Sequence, residues 1–114
     1  MREIEGVVRS AGEEAEVTCR FSRSPSTCDP DQNVAQCVRR AAESVTGATP
    51  RDSGVPYWMD AAIFAEAGIS AVDYGPSGAG AHEAVEWVDL DSVVTCARVL
   101  FAAAQLHGNP AQGG

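Results

Sequence analysis

Lysine is absent from this chain of 114 residues, and its eight basic residues are all arginine. That excludes covalent chemistry on a lysine amine and excludes a P-loop, whose lysine reaches the phosphates. Acidic residues number 16 and the net charge is -8, so the clustered Lys and Arg that nucleic acid or an anionic membrane requires are missing. We therefore expect no nucleic-acid partner and no membrane partner. No apolar run approaches 18 residues and no secretory leader pattern is present, which points to a cytoplasmic protein. The four cysteines, Cys19, Cys28, Cys37 and Cys96, include no CxxC pair, which fits neither a zinc finger nor a dense disulfide framework. Cys19, Cys37 and Cys96 fall at apolar-face positions and read as reduced, small hydrophobes.

What is present reads as alternating helices and strands. "REIEGVVRSAG" places Ile4, Val7, Val8 and Ala11 at helical spacing with Gly12 as a stop. "EVTCRFS" alternates, with Val17, Cys19 and Phe21 on one face, and predicts a half-exposed strand. Asp29-Pro30-Asp31-Gln32 resembles a capping box with proline at the first helical position. The helix that follows carries Val34, Cys37, Val38, Ala41 and Val45 on one face and stops at Gly47. "DAAIFAEAG" predicts a short helix ended by Gly68, and "ISAVDY" a short buried strand. Asp89 or Asp91 caps a final helix bearing Val93, Val94, Ala97, Leu100, Phe101 and Ala104, with Gly108 and the "NPAQGG" tail beyond. The order α-β-α-α-β-α makes this an α/β chain. Two short strands do not make an independently stable sheet, and no capping sequence precedes the first helix. The expectation is therefore a part of something larger.

Few residues could carry chemistry. "GPSGAG" follows the second apolar run, but Gly75, Gly78 and Gly80 run GxxGxG, whereas the dinucleotide pattern is GxGxxG. These glycines could simply permit a tight turn. "CDPDQN" offers alternating oxygen ligands, yet an EF-hand loop would need Gly where Val34 stands and Glu where Arg40 stands. The Glu13-Glu14 pair reads as a solvated turn. His82 is one of only two histidines. It lies beyond the second predicted strand among small residues that let a ligand approach the backbone, where open α/β sheets bind ligands. Asp60 and Glu86 are carboxylates that could orient it, although one imidazole alone cannot hold a zinc ion. His107, near the end of the last helix, suits that helix's C-terminal dipole.

Residues 54 to 101 carry a larger pattern. "GVPYWMDAAIFAEAGISAVDYGPSGAGAHEAVEWVDLDSVVTCARVL" resembles the C-terminal portion of the zinc metallopeptidase and aminoacylase family. That family includes acetylornithine deacetylase, succinyl-diaminopimelate desuccinylase and glutamate carboxypeptidase. Its order there is aromatic-Thr-Asp-Ala, then AGIP, a glycine-rich loop, and AH followed four residues later by Glu. Residues 13 to 47 are similar, more weakly, to the last strand of the family's lid domain and the helix returning to its catalytic domain. Met59, Ser70 and Val85 depart from the pattern, standing where Thr, Pro and Asp are usual.

The resemblance implies a metal-ligand role for His82, which would hold one of two zinc ions (Zn2+), and a supporting role for Glu86. It implies substrate-binding positions at Asp60, Gly75, Ser77, Gly78 and Gly80. It also implies residues 1–24 as a remnant of a lid and dimerisation domain, and 25–114 as the C-terminal part of the catalytic domain. The enzyme implied is a metal-dependent hydrolase of N-acyl amide bonds, acting on an acylated amino acid or small peptide. A zinc-bridged water would attack the carbonyl and a glutamate would shuttle the proton. The remaining ligands, in an HxD motif, a bridging Asp and a Glu-Glu pair, have no counterpart here, and Glu13-Glu14 is not that pair. No catalytic residue is therefore expected within this chain, which alone should be inactive. Two alternatives stand beside this reading. One is half of a split enzyme that needs an N-terminal portion; the other is a non-catalytic binding or homodimerising module pairing through residues 13 to 24.

Overall fold

Four helices and one short antiparallel pair make up the regular structure of residues 2–12 and 15–109, which the computed structural model describes. Helix α1 (Arg2–Ser10) ends as expected at Gly12, whose φ of 72° is a left-handed value. It buries no residue, and Ile4 and Val7 face outward. The Glu13-Glu14 pair and the tail from residue 110 lie outside the described residues.

The alternating run at 16–22 does not form a strand. Residues 15–29 carry no regular element, and Phe21 and Cys19 are exposed. Alternation marks a segment able to pair, but a strand exists only where a neighbouring backbone completes the ladder. Cys19 is consequently no core residue, unlike Cys37 and Cys96, which are buried. Arg23 ties the segment down, with its guanidinium 4.9 Å from the Phe21 ring centre and 5.6 Å from that of Trp58. The same side chain reaches the Glu66 carboxylate at 3.6 Å.

Helix α2 (Asn33–Thr46) starts differently from the expected capping box. Asp29 accepts the Asp31 amide at 3.0 Å in an Asx turn, and Gln32 at the N-cap makes no side-chain cap. Pro30 stands in the preceding turn, not at the first helical position, and its carbonyl accepts from Gln36 Nε2 at 2.8 Å. The helix stops where the sequence says it should. Gly47 adopts φ 73° and its amide closes on the Glu43 carbonyl at 2.8 Å. Helix α3 (Ala61–Glu66) is short, and Gly68 (φ 76°) ends it.

"ISAVDY" also fails to become a strand: residues 69–77 carry no regular element. The extended pair forms inside and after the glycine loop instead, between β1 (Gly78–Ala79) and β2 (Trp87–Val88), with Gly78 opposite Val88 and Ala79 opposite Trp87. Helix α4 (Leu90–Gly108) then begins at Asp89, whose carboxylate accepts the Asp91 amide at 2.9 Å and the Ser92 amide at 3.4 Å.

The core lies where α2 meets α4. Ala41, Ala42, Val99 and Ala103 are buried there, with Val38, Val45, Tyr74 and Leu106 packed around them. Alanines on both helices let the axes approach closely. The helix face that α4 buries is not the one its sequence suggested. Cys96, Val99 and Ala103 point inward, whereas Val93, Val94, Ala97, Leu100, Phe101 and Ala104 point out. Helix α4 is apolar on two sides and α2 covers one of them. The Cα radius of gyration of 18.9 Å fits this open arrangement; a compact domain of this length would measure about 13 Å.

Candidate functional site

The glycine loop hangs between the core and the start of α4. Tyr74 packs against the α2–α4 core, and the Cys96 thiol approaches its carbonyl at 4.0 Å. Three residues on, Ser77 is held from both sides of its peptide. Its amide donates to Ser92 Oγ at 2.9 Å, and its carbonyl accepts the Asp89 amide at 2.9 Å. The first turn of α4 therefore sets where the loop leaves the helical layer.

Two glycines are required sterically at the hairpin. A side chain at Gly78 would collide with the Trp87 carbonyl, and one at Gly80 with the Val85 carbonyl. Gly80 also has φ 78°. Their role is thus close backbone approach as well as a tight turn. Gly75 has open space around the position a side chain would take.

Directly after Gly80 the chain turns back, with the Glu83 amide donating to the Gly80 carbonyl at 2.8 Å. His82 occupies the third position of that turn with φ 66°, the only non-glycine residue at positive φ among the described residues. A type II turn demands such a φ and normally takes glycine. A left-handed backbone at a residue with a Cβ costs about 1–2 kcal/mol, a conformation histidine adopts more readily than most. The imidazole is exposed at the turn's tip, as are Glu83 and Glu86.

Asp60 lies elsewhere, at the entry to α3. It is exposed and its side chain caps nothing, while its carbonyl accepts the Ile63 amide at 2.9 Å. Among the described residues, no group of three or more His, Cys, Asp or Glu side chains is placed to hold a metal ion. His82, Asp60 and Glu86 are therefore not gathered into a metal centre within this chain. The donors present do not fit a zinc site by themselves, since one imidazole stands where at least three protein ligands are needed. A groove lined by Arg40, Ser44, Leu106 and Asn109 shares no residue with the loop. His107 is in the last turn of α4, where its Nδ1 meets the side-chain nitrogen Nδ2 of Asn33 at 3.3 Å and links the end of α4 to the start of α2.

Sequence reasoning missed the β2 segment that closes the loop. The signal was present, because Trp87-Val88 pairs an aromatic with a β-branched residue, both common in strands.

The sequence pattern described as "Peptidase family M20/M25/M40" matches residues 3–106. This chain belongs to that family. A curated relative, the succinyl-diaminopimelate desuccinylase of a Nitratiruptor species, is 31% identical over 77 residues, covering 66% of this chain. The match spans 21% of that relative, so the chain corresponds to about a fifth of its length. No solved structure matches the chain. Membership places the glycine loop and His82 in a family of hydrolases. Among the described residues no helix is long and apolar enough to cross a membrane.

Proposed function

We propose that this chain supplies one metal-ligating histidine, His82, and part of the substrate pocket to a zinc-dependent hydrolase of N-acyl amide bonds. The substrate class is an acylated amino acid or small peptide, in keeping with the desuccinylase likeness. The observation that carries this reading is the exposed His82 ring at a left-handed turn position that would suit glycine better. A side chain kept where its backbone is strained points to a role for that side chain. Gly78 and Gly80 let the hairpin that carries the turn close, and Ser77 is fixed to α4; in the assembled enzyme Glu86 and, from the entry to α3, Asp60 would supply carboxylates to the same site. Residues 1–24 would then derive from the lid.

On its own the chain should not hydrolyse such substrates, because among the described residues no ligand set of a two-metal centre is assembled. The test is a full-length chimera in which this chain replaces the matching segment of the Nitratiruptor desuccinylase. We expect it to bind zinc and cleave N-succinyl-diaminopimelate, and His82→Ala to lower zinc affinity at least tenfold and abolish turnover. Undiminished zinc binding and turnover in His82→Ala would refute the assignment.

A further inference from the structure

The buried stripe of α4 does not stop with the core. Ahead of Ala103 and Val99 the same helix face carries Cys96, which is buried, and then Ser92, which is half-buried. Both meet the glycine loop. The Cys96 thiol faces the Tyr74 carbonyl at 4.0 Å, and Ser92 Oγ accepts the Ser77 amide at 2.9 Å. The loop is thus fastened twice along one helix face before it enters β1. Ser92 does this with a hydroxyl whose proton is already committed. It donates to the Asp89 carbonyl at 2.6 Å, against 3.4 Å to the Ser77 carbonyl, so its lone pairs are left for the Ser77 amide. The Ser77 carbonyl is taken in turn by the Asp89 amide at 2.9 Å. Asp89 also follows directly on β2. Both legs of the hairpin that carries His82 are therefore rooted in one turn of α4, one by hydrogen bonds and the other by the chain itself.

Little else among the described residues holds that hairpin. Its ladder pairs Gly78 with Val88 and Ala79 with Trp87, and both strands are exposed. A two-stranded ribbon of that kind is marginal in water. Without apolar burial, the base decides whether the tip stays in one place. We infer that Ser92 is a positioning residue, whose hydroxyl fixes the base of the hairpin and with it the places of Ser77 and His82. The functional half of this inference rests on the site proposed above. Ser92 touches neither substrate nor metal there and acts through the Ser77 peptide, to which no other side chain bonds among the described residues. The task needs a short side chain that accepts from the loop while donating to the helix carbonyl three residues back. Threonine can do both, whereas valine, of the same shape, can do neither.

The test compares Ser92→Val with Ser92→Thr, which differ in the hydroxyl alone. In the isolated 114-residue chain, amide exchange is followed at Ser77, Glu83 and Asp89. We expect Ser92→Val to speed it by at least about tenfold, the worth of one such hydrogen bond. The Val99 and Ala103 amides, further along α4, should keep the parental rate, and Ser92→Thr should restore the other three to within about twofold. Unchanged exchange in Ser92→Val would overturn the inference. So would an equal rise at Val99 and Ala103, since Ser92 would then merely stabilise the helix. In the full-length chimera, held well below its melting temperature, Ser92→Val should lower kcat/KM at least about tenfold and Ser92→Thr by no more than about threefold. Equal turnover in those two chimeras would remove Ser92 from the site, even where His82→Ala abolishes activity. Full turnover in the His82→Ala chimera, beside local loosening in Ser92→Val, would refute the metal-ligand assignment and leave the hairpin's anchor standing. The two readings thus fail separately.

Discussion

Ser77 and Ser92 hold each other through the backbone: the Ser77 amide donates to Ser92 Oγ at 2.9 Å, and Ser92 Oγ lies 3.4 Å from the Ser77 carbonyl. With Asp89 capping the same helical turn, this junction decides where the glycine loop departs from α4. Removing the hydroxyl in Ser92→Ala loses the bond it accepts from the Ser77 amide and the one it donates to the Asp89 carbonyl, and should cost about 1–2 kcal/mol at the ordinary worth of about 1 kcal/mol for each. Removing the cap in Asp89→Ala should cost about 1 kcal/mol. Because both act on one turn, the double variant is expected to depart from additivity, and a denaturant-melt double-mutant cycle measures the coupling.

Gly80 admits no side chain. In Gly80→Ala a methyl group must both adopt φ near 78° and displace the Val85 carbonyl. We expect a loss of at least about 2 kcal/mol, from left-handed strain plus overpacking. Faster amide exchange at Trp87 and Val88 would locate the damage in the hairpin. Gly75→Ala, with open space at its Cβ position, should stay within about 0.5 kcal/mol of the parent.

At His82 a separation of stability from function is expected. His82→Gly relieves the left-handed strain but loosens the unfolded chain, two effects of about 1 kcal/mol each that oppose one another. Its melting should therefore change little. His82→Val keeps the strain and adds β-branching, and should be destabilising by about 1 kcal/mol or more relative to His82→Gly. A thermal melt in which Val is as stable as Gly would contradict the left-handed turn.

The two sides of α4 should respond oppositely to truncation. Val99→Ala removes two methyl groups from the fully buried site and should cost about 2 kcal/mol. Phe101→Ala, on the bare face, should cost no more than about 0.5 kcal/mol in the isolated chain. Chemical denaturation of the three proteins side by side checks this, and equal losses would show that the outer face is already covered.

Local chemistry made the stops and several starts legible. Gly12, Gly47 and Gly68 end their helices at φ values of 72°, 73° and 76°, and Asp89 caps α4. A residue's backbone freedom and its hydrogen bonds to near neighbours are encoded within a few positions. The α2 face was legible for the same reason, since a single periodic stripe has only one way to face a core. The capping box expected at 29–32 does not form, because Asp29 satisfies its neighbour in an Asx turn before the helix begins.

The amino-acid order by itself determined the helices, their glycine stops, the glycine loop and the place of His82 just after it, because propensity, capping and periodicity act locally. Pairing and facing were decided only in three dimensions. Val17–Phe21 and Ile69–Tyr74 have the composition of strands but, among the described residues, no partner backbone, whereas Gly78–Ala79 finds Trp87–Val88 across a turn. Helix α4 carries two apolar stripes, and α2 settled which of them is buried, because a hydrophobic face has no direction until something packs against it.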